Sequence, residues 1–208
     1  MIIDFTQLSS SEIYHTMTQT IIPRPIAWVI SDHGNGQLNL APFSYFSAVS
    51  SNPPILSLSV GLKRDGSKKD TWRNIEERSH FVVQIPKVED VDSVLRSAEP
   101  LEHGESEIEL CHLELADFEG SPLPRLKRAP IAFCCEKHSI IPIGNGPQGL
   151  VLGEIRSIYL DDQVAILTPD SPIPQVSAEA INPLARLGST GGFAKIETIK
   201  RIGVGTRG

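Results

Sequence analysis

Ile55-Leu56-Ser57-Leu58-Ser59-Val60-Gly61 is the stretch that decides the fold. Leu56, Leu58 and Val60 alternate with Ser57 and Ser59, which is the period of a half-buried β-strand. The apolar set is expected to face a core and the serines to face solvent or a polar ligand. Upstream, Ser51-Asn52-Pro53-Pro54 reads as a turn. Before it come a strand over Ile26 to Ser31, a Gly34-Asn35-Gly36 hairpin turn and a partner strand from Gln37. Pro42 is expected to interrupt that partner, with Phe43 to Ser50 resuming as another extended run. Pro23-Arg24-Pro25 forces extended backbone, and residues 12–20 suit a short helix. Downstream, 62–69 form a basic, glycine-containing loop, after which Asp70 or Thr71 is expected to cap a helix reaching about Arg78.

Further strands are expected at His80 to Ile85, Ile131 to Ile141 and Gly149 to Leu160, the last two joined through Gly144-Asn145-Gly146. Val88 to Ala98 is amphipathic, 105–112 suggests a small acidic helix, and 168–183 is a Pro-rich excursion. Strands dominate and helices are inserted between them, which favours an antiparallel barrel over a doubly wound parallel sheet. With no repeat or linker visible, residues 1–208 are expected to form one domain.

Composition bounds the function. A formal net charge of −6 disfavours a nucleic-acid binder. Residues 33–62 hold no Asp, Glu, Lys or Arg, yet their six Ser, three Asn and three Pro exclude a helix in lipid. Met1 to Thr20 does not read as a signal peptide. Cys111, Cys134 and Cys135 have neither disulfide nor zinc spacing, and the adjacent pair on a strand is expected to face opposite ways. A reducing cytoplasm fits this usage.

Two segments could carry chemistry. Lys63 to Asn74 joins a basic loop to a helix start, which suits an anion, although on this segment alone a solvated lysine loop with a routine cap is the better reading. Asn39 to Phe46 offers polar groups and the rings of Phe43 and Phe46, which could serve a planar heterocycle, although taken alone an ordinary core strand is the better reading. P-loop and dinucleotide fingerprints are absent, as is a nucleophile elbow. The six histidines show no metal spacing, and His103, beside Gly104, is the best candidate for a reactive one.

Taken in order, Pro23-Arg24-Pro25-Ile26-Ala27-Trp28-Val29, Asn39 to Phe46, Asn52-Pro53-Pro54, Lys69-Asp70-Thr71 with Asn74-Ile75, and Phe81-Val82-Val83 resemble the flavin-reductase-like, FMN-binding split-barrel family. Within it, they resemble the flavoprotein oxygenase or nitrilotriacetate-monooxygenase reductase-component branch. Gly104-Glu105-Ser106-Glu107, Gly153-Glu154-Ile155 and Pro183 to Gly188 extend the match. Gln84 and Phe193 depart from it, since similar proteins often have Asn and Tyr there.

The resemblance implies a six-stranded antiparallel Greek-key barrel with short helical insertions, a homodimer, and FMN in a groove between subunits. Lys69, Asp70 and Thr71 would hold the phosphate, with Arg24 a weaker candidate and Ser59 reaching the ribityl or phosphate. Asn39 and the backbone of Phe43, Ser44, Tyr45 and Phe46 would meet the isoalloxazine. The implied activity is NAD(P)H-dependent flavin reduction, with no dedicated catalytic residue and a partner oxygenase or other electron acceptor downstream. The alternative is a non-enzymatic FMN-binding or electron-carrier protein. A third reading is an interaction domain that kept the barrel without the cofactor.

Overall fold

Seven strands build one antiparallel sheet: β1 Ala27–Asp32, β2 Leu38–Phe43, β3 Phe46–Ser51, β4 Pro54–Val60, β5 His80–Gln84, β6 Ile131–Ile143 and β7 Gln148–Leu160. Their spatial order is β2-β1-β5-β6-β7-β4-β3. This is a computed structural model, and it describes residues 1–102, 104–145, 148–169, 171–188 and 191–197. His103 and Gly146 lie outside the described residues.

The two edge strands are consecutive in sequence. The chain leaves β2 at Phe43 and enters β3 at Phe46, so only Ser44 and Tyr45 separate opposite edges of the sheet. Two residues span roughly 7 Å when extended, which draws the edges together into a barrel. The Tyr45 carbonyl accepts from the Ser59 N–H at 2.9 Å and pins this seam to β4. Six strands were expected by resemblance. The seventh is β3, which pairs back on β4 with Phe46 opposite Leu58.

Alternation along each strand sorts residues to the barrel's two faces. Ala27, Val29, Leu56, Leu58, Val60, Phe81 and Val83 share one buried cluster. Trp28, Ile30, Leu40 and Val82 face the other way, into a second cluster covered by Val94, Ile108, Phe118 and Leu126. Each fully buried side chain of this size stabilises by about 1.5–3 kcal/mol. Cys134 and Cys135 fall in opposite clusters and are free thiols, as the strand pattern requires.

Four helices matter for the site: α1 Ser10–Thr20, α2 Asp70–Arg78, α3 Val91–Arg96 and α4 Glu107–Leu110. α1 starts with a capping box in which Ser9 and Glu12 satisfy each other's backbone N–H. α2 lies on the long crossover from β4 to β5 and drives Trp72 and Ile75 into the barrel cluster. β7 makes room for that cluster with glycines. A Cβ on Gly149 would stand 2.9 Å from the Trp72 ring, and one on Gly153 would stand 2.3 Å from Phe81 Cζ.

Two expectations are corrected. Pro42 does not interrupt the strand; it sits within β2, opposite Trp28, and the break falls at Ser44-Tyr45. β2 is an edge strand, where a missing N–H costs no central ladder bond. The cap of α2 is neither Asp70 nor Thr71. Lys69 holds the N-cap position without a side-chain hydrogen bond, and Asp70 is the first helical residue. The Asp70 carboxylate pairs instead with Lys63 at 2.8 Å.

Candidate functional site

A buried polar network fixes the start of α2 against the barrel wall. Asn39 on β2 donates its side-chain amide to Thr71 Oγ1 at 2.9 Å and to Ser31 Oγ at 3.3 Å. Asn74 donates to the same Ser31 oxygen at 3.1 Å, and Arg78 donates to Asn74 Oδ1 at 3.0 Å. Thr71 is 1% exposed, so its environment is set almost wholly by protein. Since Thr71 Oγ1 accepts from Asn39, its own hydroxyl hydrogen is left to donate. A polar network satisfied in this way rigidifies the groups it holds.

That hydroxyl stands on a cleft of about 550 Å³. Its charged lining combines Lys63, Arg64 and Lys69 with the carboxylates Asp65, Asp70 and Glu99, and Thr71 lies among them. An α-helix leaves its first N–H groups without helical partners, and Lys69 places no side-chain acceptor over them. The partial positive charge of the helix end adds to that of the cations. Among the described residues no carboxylate pairs with Arg64 or Lys69. Although Lys69 is exposed by surface area, desolvation by the surrounding protein lowers its pKa from the usual lysine value, and its ammonium lies 5.9 Å from the Phe43 ring centre.

The apolar lining comes from Ala41, Pro42 and Phe43 on β2 and from Ala98, Pro100 and Leu101 beyond α3. Trp28 steadies that second group by donating its indole N–H to Ser97 Oγ at 2.9 Å. A second cleft, of about 250 Å³, adjoins the first and shares Pro42, Phe43 and Ala98 with it. Tyr14, Ser44, Arg186 and Phe193 are among its other lining residues.

Glu107 also lines the larger cleft and is largely buried. Its carboxylate accepts from the Leu40 N–H at 2.8 Å, which ties α4 to β2. Burial is the main cause that lifts its pKa to about 7; the Leu40 bond opposes this, and the Asp70 charge adds to it.

The residues expected to form the site thus separate into groups. Asn39, Phe43, Lys69, Asp70 and Thr71 converge on the larger cleft, while Phe43 and Ser44 line the smaller one. Arg24, Tyr45, Phe46 and Ser59 line neither. Arg24 is buried and donates to the carbonyls of Thr18, Ile21 and Leu187 and to Ser44 Oγ. It clamps the end of α1 to the barrel seam. Ser59 meets Gln148 on the neighbouring strand at 3.4 Å. Phe46 packs against the barrel cluster. Tyr45 lies 6.4 Å from Tyr14 between ring centres, and its buried hydroxyl has no hydrogen-bond partner among the described residues. Lys63 and Arg64 fall within the segment Lys63 to Asn74 that the sequence offered as an anion site, without being singled out there; Glu107, which also lines the larger cleft, was missed. Among the described residues, no group of His, Cys, Asp and Glu could hold a metal ion.

Fold and clefts define an antiparallel split barrel with a groove beside its seam, lined by charged residues of both signs and by Phe43. The flavin reductase like domain family matches residues 17–169, and the chain belongs to that family. Nitrilotriacetate monooxygenase component B from Bacillus cereus is similar in structure, with a TM-score of 0.88 and 32% identity over 97% of this chain and 98% of that one. The 2-nitrobenzoate 2-nitroreductase NbaA of Pseudomonas fluorescens is similar with a TM-score of 0.84 and 26% identity, covering 100% and 98%. An uncharacterized protein of Halalkalibacterium halodurans is 34% identical over 86% of this chain and 85% of its own length.

Proposed function

We propose that the seam groove binds FMN and that the protein is an NAD(P)H-dependent flavin oxidoreductase. One observation carries this reading. The start of α2, with Lys69 and Thr71, and the β2 stretch with Phe43 line a single cleft and are tied together by the Asn39–Thr71 bond. The chemistry of the lining fits FMN, which needs an anion site, a polar stretch and a flat apolar surface in that order. Thr71, Lys69, Arg64 and the first N–H groups of α2 would hold the phosphate. Asp70 and Asn39 flank the polar middle, and Pro42, Phe43 and Ala98 would orient the ring and exclude water.

Bound there, FMN supplies acceptance of a hydride from the nicotinamide. The protein's part is to place two rings and keep solvent out, so no side chain is assigned a catalytic role. Membership of the flavin reductase like domain family supports the reading, as does the likeness to a monooxygenase component and a nitroreductase. We further propose a cytoplasmic homodimer that passes its electrons to a partner oxygenase or another acceptor. Among the described residues no helix is long and apolar enough to cross a membrane.

Comparing FMN with riboflavin tests the phosphate end directly. Charge-assisted hydrogen bonds contribute about 1.5–3 kcal/mol each, so FMN should bind at least about tenfold more tightly by fluorescence quenching. Equal affinity for the two would show that the start of α2 does not hold a phosphate.

A further inference from the structure

The smaller cleft carries a charge imbalance that the FMN reading does not use. Arg186 lines it and stacks over Phe193, 4.7 Å from the ring centre. Its guanidinium donates to the Gly192 carbonyl at 3.3 Å. Among the described residues no carboxylate forms an ion pair with it. Burial lowers its pKa from the usual arginine value, and the nearby Arg24 charge lowers it further. Among the described residues, Arg24 donates to carbonyls and to the Ser44 hydroxyl, none of them anionic. Two guanidinium groups therefore influence one region with no counter-charge from the described residues. A partly desolvated, unpaired charge is costly, and a bidentate anion relieves that cost.

The rest of the cleft limits what the anion can be. Ile26, Pro42, Phe43, Val94 and Phe193 make most of its wall apolar, with two aromatic rings among them. Its volume of about 250 Å³ lies below the roughly 300–1,000 Å³ of sites for drug-sized ligands. A single ring suits that volume. We infer that the smaller cleft is a subsite for a one-ring aromatic carboxylate, its carboxylate paired with Arg186 and its ring against Phe43 and Phe193. Through Pro42, Phe43 and Ala98 this ligand would adjoin the apolar lining of the larger cleft. That it neighbours a flavin rests on the proposed function; the anion subsite itself stands on Arg186 and the apolar walls.

Calorimetric titration of the full chain with benzoate and with benzamide, without flavin, tests the inference. The two probes share a ring and differ in charge. Benzoate should bind at least about tenfold more tightly, as expected for charge-assisted bonds. Arg186→Gln should remove that preference while leaving benzamide unchanged, and Arg186→Lys should restore part of it. FMN affinity of Arg186→Gln should stay within about threefold of the unmodified protein, because Arg186 does not line the larger cleft. Equal binding of the two probes, no benzoate binding, or an unaltered preference in a folded Arg186→Gln would overturn the subsite. Should that variant fail to fold, the probe pair on the unmodified protein decides alone. Benzoate binding with no FMN binding would sink the flavin reading and leave the subsite standing.

Discussion

Thr71 shows how one hydroxyl is prepared for a ligand. Its oxygen is occupied by Asn39 and its side chain is buried, so it acts as a donor. Thr71→Ala should weaken FMN binding roughly tenfold to a hundredfold, from the loss of one hydrogen bond to an anion. It should also cost about 1 kcal/mol of stability, since Asn39 loses an acceptor; Thr71→Ser should restore both in quenching and denaturation titrations. This residue, with Asn39, Phe43 and Lys69, was legible in sequence because donors, cations and rings advertise their chemistry. Glu107 was not. It lies among Glu105 and Glu109, and nothing local says which of three glutamates is driven into a cleft. Its raised pKa has a readable consequence. Below about pH 4.5 the carboxyl is protonated in folded and unfolded chains alike. Between about 4.5 and 7 the unfolded chain ionises first, so folding stability falls as pH rises, and it levels off above 7. Glu107→Gln should lack that decline, gaining up to about 3 kcal/mol on the parent across the window. Parallel denaturation curves of the two proteins from pH 4.5 to 8 would refute the assignment.

At the scale of elements, the alternation of Leu56, Leu58 and Val60 was enough to place β4, and Gly34-Asn35-Gly36 enough to place the β1–β2 hairpin. Both signals are local. What escaped the sequence depends on distant partners. Pro42 reads as a break until β2 is known to be an edge strand, and Asp70 reads as a cap until Lys63 is seen to pair with it. Arg24 looked like a phosphate ligand because a basic residue beside two prolines gives no hint of three carbonyls converging on it. Arg24→Gln should therefore lower the urea midpoint clearly while leaving FMN affinity within about threefold, the reverse of what a phosphate ligand would show. The glycines of β7 make a second test. Phe81 is fully buried and cannot swing away, so Gly153→Ala should destabilise by at least about 1–3 kcal/mol. A variant as stable as the parent would mean that the barrel interior is more loosely packed than described.

For the whole molecule, the seam joining β2 to β3 explains why the proposed ligand-binding groups and the approach of the sheet's edges depend on the same stretch, Asn39 to Phe46. Residues 47 to 51 of β3 lie exposed beside that seam, with Val49 59% accessible, and an open edge of this kind invites a second subunit. Sedimentation equilibrium should give a dimer at micromolar concentration, and a monomer that still binds FMN would contradict the proposed assembly. In the sequence the dimer was implied by the family resemblance, because no local pattern says which surface a second copy would cover. The central claim is tested most directly by absorption spectroscopy of the FMN-loaded protein under anaerobic conditions. Adding NADH or NADPH should bleach the yellow flavin absorbance rapidly and in proportion to the nicotinamide added. A protein that binds FMN yet leaves its colour unchanged with both nucleotides would be a flavin carrier rather than a reductase, and one that binds no flavin would contradict the account altogether.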